Sequence, residues 1–109
     1  MGLDITITER KEVRCPHCGE AVTSIDVFSV DSGGRAWYDF LEKVGYYVPY
    51  EKRTEENDWY SKDMVLDDEQ AKQLADYAVR KEVYNSDLVE SVVAETLLHG
   101  NKVVINADW

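Results

Sequence analysis

Leu3, Ile5 and Ile7 alternate with Asp4, Thr6 and Thr8, the period of two that gives a half-buried strand one apolar face. Val13 extends this run toward a short break. The next run, Ala21 to Val30, is again rich in β-branched residues, and its Ile25, Val27, Phe28 and Val30 require cover. The two runs predict an antiparallel hairpin over residues 3–30, with Cys15-Pro16-His17-Cys18-Gly19-Glu20 at its tip.

The period then changes. Asp31-Ser32-Gly33-Gly34 is expected to end the strand and cap a helix. In that helix Trp37, Phe40, Leu41 and Val44 fall at i, i+3, i+4 and i+7 and so share one face. Gly45 is its stop signal. Residues 46–66 show no regular period, and Pro49 opposes a helix there. Asp67 and Gln70 have the spacing of a capping box, and Ala71, Leu74, Ala75, Ala78 and Val79 follow at helical intervals. Asn85-Ser86 restarts a helix carrying Leu88, Val89, Val92, Val93, Thr96 and Leu97, which ends at His99-Gly100. Residues 102–107 read as a closing strand. The pattern predicts a single α+β domain over residues 1–109. Its small antiparallel sheet is the N-terminal hairpin plus the C-terminal strand, with about three helices, drawn from residues 31–100, packed mainly on one face.

Composition adds a sign. Twenty-two acidic residues stand against 12 basic ones, a net charge of −10 over 109 residues. Such a chain repels phosphate backbones, which argues against direct nucleic-acid binding. No apolar run has the roughly 18 residues of a membrane span, and Met1 to Ile5 carries no export pattern. These features predict a cytoplasmic protein with no membrane partner.

Both cysteines lie in the predicted hairpin tip. Two residues between thiolates let both sulfurs converge on one tetrahedral ion, and Cys15-Pro16-His17-Cys18-Gly19 resembles a single knuckle of the zinc ribbons and rubredoxin-like sites. Those families use two such knuckles. Zinc here needs further ligands, for which His99 and His17 are the imidazole candidates, or a homodimer in which two Cys15/Cys18 pairs share an ion. The zinc hook of coiled-coil DNA-repair ATPases uses the same pattern in that way. A reduced, purely structural turn is the competing reading. A thioredoxin-type redox pair is disfavoured, because its thiols belong at a helix N-terminus and a strand pattern follows here.

Other chemistry is thinner. Ser32-Gly33-Gly34-Arg35 could present free amides to an anion, although a helix cap with flexible glycines is the favoured reading. Asp4, Asp26, Asp31 and Asp39 have no fixed separation, and no triad or dyad spacing marks an enzyme. From Glu51 to Glu69 there are eight acids and three bases, and Tyr46, Tyr47, Tyr50, Trp59 and Tyr60 lie in or just before this stretch. Tyrosine and tryptophan are frequent anchors of protein contacts. The stretch therefore predicts a non-catalytic module that offers an acidic aromatic surface to a basic protein partner. The bland alternative is that these rings complete a small core.

Gly2-Leu3-Asp4-Ile5, together with Phe40-Leu41-Glu42-Lys43-Val44-Gly45-Tyr46 and a later helix such as Asp68 to Val79, resembles small uncharacterised phage- and prophage-associated proteins. The resemblance touches about half the chain. It implies a bacterial or mobile-element origin and no particular activity.

Overall fold

A computed structural model describes residues 3–14, 17, 19 and 21–109. The strands are β1 (Asp4–Arg14), β2 (Ala21–Gly33), β3 (Met64–Leu66) and β4 (Lys102–Asp108); the helices are α1 (Trp37–Lys43), α2 (Asp68–Arg80) and α3 (Ser86–His99). They form an α+β fold whose four-stranded sheet has the order β2-β1-β4-β3. Every neighbouring pair is antiparallel.

The alternation in β1 decides which face is covered. Ile5 and Ile7 stand opposite Ala107 and Ile105 of β4, and Ile7 also stands opposite Val30 of β2. All five are buried. Helix α3 lies over β1, β2 and β4, and α2 packs beside it over β3 and β4. The opposite face carries cross-strand polar pairs. Thr6 bonds Asp31, Thr8 bonds Ser29, and Arg10 reaches both Asp26 (2.9 Å) and Asp63 (3.0 Å). Val104 is the exception, buried on that face opposite Thr8 and Val65.

The helices begin and end where their local chemistry directs. Asp67 accepts from the Gln70 amide at 2.7 Å while the Gln70 side chain accepts from the Asp67 amide, a complete capping box. Gly45 and Gly100 follow their helices with φ of +84° and +70°, conformations that cost glycine little. Helix α1 docks through its rings: Trp37 and Phe40 lie 5.8 and 5.4 Å from Tyr77 of α2.

Two expectations need correction. Asp31 and Ser32 do not break the strand; they continue its ladder opposite Thr6 and Ile5. Ser32 is buried, accepts the Trp37 indole N–H at 3.1 Å and donates to the Tyr84 carbonyl. Gly34 makes the turn at φ +114°, and α1 starts after Ala36, which provides no side-chain cap. The Gly34 amide is bonded to the Leu3 carbonyl at 2.9 Å, so this loop does not form the free-amide anion cradle. The second correction is β3, which lies inside the stretch read as irregular. It buries Leu66 and leaves Val65 half exposed.

Candidate protein-contact surface

The hairpin is longer than the layer of helix that covers it. Glu9 pairs with Phe28 and Arg10 with Asp26, so Val27 is an extra residue in β2. Such a bulge bends its strand and re-aims the side chains around it. Phe28 borders a shallow apolar groove with Leu88, Ser91, Val92 and Glu95 of α3. Ile25 and Val27 border the next depression, with Glu9, Lys11, His99 and Asn101. The sequence pattern required cover for Ile25, Val27, Phe28 and Val30, yet only Val30 receives it. The other three are 50%, 49% and 52% exposed. Thr23 to Ser29 is a run of seven consecutive exposed residues on a terminal strand.

The two ends of this run differ. Toward Gly33 the edge is closed by the loop between α2 and α3, where the Asn85 side-chain amide donates to the Asp31 carbonyl at 2.7 Å. Asp31 therefore points its carbonyl away from β1. Strand alternation turns the backbone groups of Ser29 outward as well. Among the described residues, β1 is the only strand beside β2 from Ser29 toward the hairpin tip.

Glu9 marks where the covered part ends. It follows Ile5 and Ile7 on the inner face and is 2% exposed. One of its oxygens receives Asn101 Nδ2 at 2.7 Å and lies 2.7 Å from His99 Nδ1. Burial alone pushes this carboxyl up, but the bonds from His99 and Asn101 outweigh it and hold the group below its ordinary range. The arrangement clamps the end of α3 to β1 across 90 residues of chain.

This placement bears on the metal candidates. Cys15 and Cys18 lie outside the described residues, and His17 is an exposed turn residue. His99 stands level with Glu9, five residues before Arg14, which is about 16 Å along an extended strand. Its second nitrogen is 3.5 Å from Glu95. His99 is thus engaged with two carboxylates, and the cysteines it was expected to join lie outside the described residues. Among the described residues no group of three or more His, Cys, Asp or Glu side chains is arranged to hold a metal ion.

The aromatic stretch is partly an interior. Tyr46 is wholly buried. Its hydroxyl accepts the Ala107 N–H and donates to the Lys62 carbonyl, both at 2.7 Å. Tyr46, Tyr47 and Tyr60 pack around Trp109 with ring centroids 5.9, 5.1 and 5.0 Å away, and Trp59 lies 6.2 Å from Tyr46. Arg53 stacks over both Tyr47 and Trp109. Tyr46 thus cannot serve as a contact residue, and Tyr47 and Trp59 are partly covered; Tyr50, at 84% exposed, and Tyr60, at 45%, remain at the surface. The reading from sequence left out Trp109, the hub of the cluster. An aromatic residue directly after an apolar strand was the available signal. It also left out Glu9, although strict alternation from Ile5 and Ile7 places Glu9 on the inner face.

No family model, curated protein or solved structure matches this chain. Among the described residues, no helix is long and apolar enough to cross a membrane.

Proposed function

We propose that this chain is a non-catalytic protein-binding module whose contact surface is the open edge of β2 and the adjoining flank of α3. One observation carries the reading: three large apolar side chains, Ile25, Val27 and Phe28, stand half exposed within seven consecutive exposed residues of a terminal strand. Contiguous apolar exposure of this kind marks interaction sites, and an open strand edge supplies backbone groups for an added strand. The surface favoured from sequence, the acidic aromatic stretch, retains only Tyr50 and Tyr60 as substantially exposed rings. The edge of β2 therefore replaces it as the leading contact.

Site-specific photo-crosslinking separates the two surfaces. A photoreactive residue at position 28 is expected to give a discrete protein adduct in the native host, and one at position 50 none. An adduct from position 50 alone would restore the acidic aromatic surface. Adducts from neither position would end the protein-binding reading.

A further inference from the structure

Resting on that reading, we infer that the partner at this edge is an extended segment of a different protein, apolar on one face and rich in lysine or arginine, laid along Thr23–Ser29 of β2. Charge selects this occupant. Strand β2 and helix α3, which frame the contact, carry five carboxylates (Asp26, Asp31, Asp87, Glu90 and Glu95) and no lysine or arginine. Glu95 stands at the rim of the groove between Phe28 and α3, its side chain 61% exposed. Its neighbour His99, at 3.5 Å, is also bonded to Glu9, so one imidazole serves two carboxylates. On the other face of the sheet, Arg10 is divided in the same way between Asp26 and Asp63. Lys11 of β1 borders the depression at Ile25 and Val27, and it does not balance this surplus. The apolar strip is therefore rimmed by negative charge on both faces. An uncharged segment would desolvate Glu95 and give it no partner, which is costly, and an acidic segment would be repelled. A second copy would bring the same carboxylates back, and a two-fold register would set Asp26 against itself, a destabilising opposition.

The shape of the edge sets the pattern of the segment. Side chains of an added strand alternate between the two faces. Ile25 and Phe28 stand opposite Lys11 and Glu9 on the face that α3 overlies, whereas Asp26 stands opposite Arg10 on the other face. The segment that fits therefore turns apolar residues toward Ile25 and Phe28 and a lysine or arginine toward Asp26, an opposite-charge pair across strands. A long cationic side chain next to the groove lays its methylenes on Phe28 and Leu88 while its charge reaches Glu95. The loop at Asn85 closes the edge at Asp31, which limits the contact to the open run, about 23 Å long at seven residues. The bulge at Val27 interrupts the ladder, so backbone pairing belongs to Thr23–Asp26 and side-chain contact to Phe28. A strip of this size falls among the small interfaces, below about 1,200 Å² in total, typical of weak association.

Fluorescence anisotropy of the full chain with a labelled peptide of alternating lysine and valine, as long as the open run, tests the inference. A glutamate–valine peptide of the same length is the comparison. The lysine–valine peptide is expected to bind, more weakly as salt is raised, and the glutamate–valine peptide not to bind. Phe28→Ser should weaken binding by about tenfold, the loss of an aromatic anchor. Asp26→Asn combined with Glu95→Gln should weaken it by about fivefold, as expected when exposed ion pairs are removed. Glu55→Gln combined with Glu56→Gln removes equal charge from the acidic stretch and should change it by less than about twofold, because screening confines the effect of exposed charges to their neighbourhood. Bound peptide should slow amide hydrogen exchange within Thr23–Asp26. All the substituted positions are exposed, and thermal melts verify that the variants fold. The inference is overturned if the lysine–valine peptide fails to bind, if both peptides bind alike, if Phe28→Ser has no effect, if the two charge-removing pairs weaken binding equally, or if exchange at Thr23–Asp26 is unchanged. The position-28 adduct separates this inference from the reading it rests on. An adduct to an uncharged or acidic segment, or to a second copy, refutes the basic occupant and leaves the binding surface standing. Absence of any position-28 adduct refutes both.

Discussion

Replacing Tyr46 by Phe removes one oxygen from the centre of the structure. The residues Ala107 and Ile5 face each other across β4 and β1, while on the other side of β4 the short strand β3 begins only at Met64, opposite Ile105. The backbone of Ala107 therefore has no strand partner on that side. Its carbonyl is met by the Ser61 amide at 3.0 Å and its N–H by the Tyr46 hydroxyl at 2.7 Å. The phenol continues the sheet where β3 has stopped. Tyr46→Phe preserves the ring contacts with Trp59 and Trp109 but strands a buried N–H, which costs about 1–3 kcal/mol. A loss of about 2 kcal/mol corresponds to a fall of roughly 10 °C in Tm for a domain of this size. In urea the midpoint should fall with m unchanged. Tyr47→Phe is the control, expected to shift stability by no more than about 0.5 kcal/mol. Alkaline pH gives a second readout. Burial raises the Tyr46 phenol above its ordinary 10.0, against the opposing pull of the bonds to Ala107 and Lys62. The stability linked to this group is thus fully present below pH 10 and lost as pH rises through the folded value; Tyr46→Phe should flatten that loss. A Tyr46→Phe variant within about 0.5 kcal/mol of the parent would refute the reasoning, since a buried orphan donor cannot be that cheap.

At the other end of the sheet, the depressed Glu9 carboxyl contributes stability that is present above its ordinary 4.5 and lost as pH falls through the folded value. Glu9→Gln should cost about 1.5–3 kcal/mol at neutral pH and shallow the acid limb of a stability–pH curve; an unchanged limb would count against the clamp. Gly33→Ala places a Cβ 2.7 Å from the Leu3 carbonyl oxygen and should destabilise by about 1–3 kcal/mol through overpacking, a fall that chemical denaturation would measure and a neutral result would contradict. Zinc supplied to the purified chain and counted by native mass spectrometry should be unaffected by His99→Ala and reduced by Cys15→Ser. A drop in the first variant would mean that His99 does reach the tip.

Much of the architecture was legible because it rests on local rules. Alternation at Leu3, Ile5 and Ile7 announced β1, helical spacing around Leu74 and Val92 announced α2 and α3, and Asp67 with Gln70 announced a cap. The failures occurred where a distant partner overrides local composition. Ser32 reads as a turn residue until Trp37 and Tyr84 occupy its hydroxyl. Met64 to Leu66 is too short to show a period and is a strand only because β4 lies beside it. Tyr46 and Tyr47 looked like surface rings because Trp109, against which they pack, is some 60 positions away in the sequence. The candidate contact was hidden for the opposite reason. Ile25, Val27 and Phe28 have the composition of an interior strand, and only the position where α3 ends leaves them uncovered.

The central place of β4 has a consequence for biosynthesis. Among the described residues, the strand that pairs with both β1 and β3 is β4, residues 102–108, which emerges from the ribosome after the other strands and helices. Until it arrives, β1 and β3 have no strand in common and the inner face of β1 lacks one flank. Docking β4 beside β1 joins positions roughly 100 apart in sequence, the kind of remote pairing that slows folding. A nascent chain stalled before Lys102 should therefore be easily digested by proteases, and ordering of the sheet should wait until β4 has emerged.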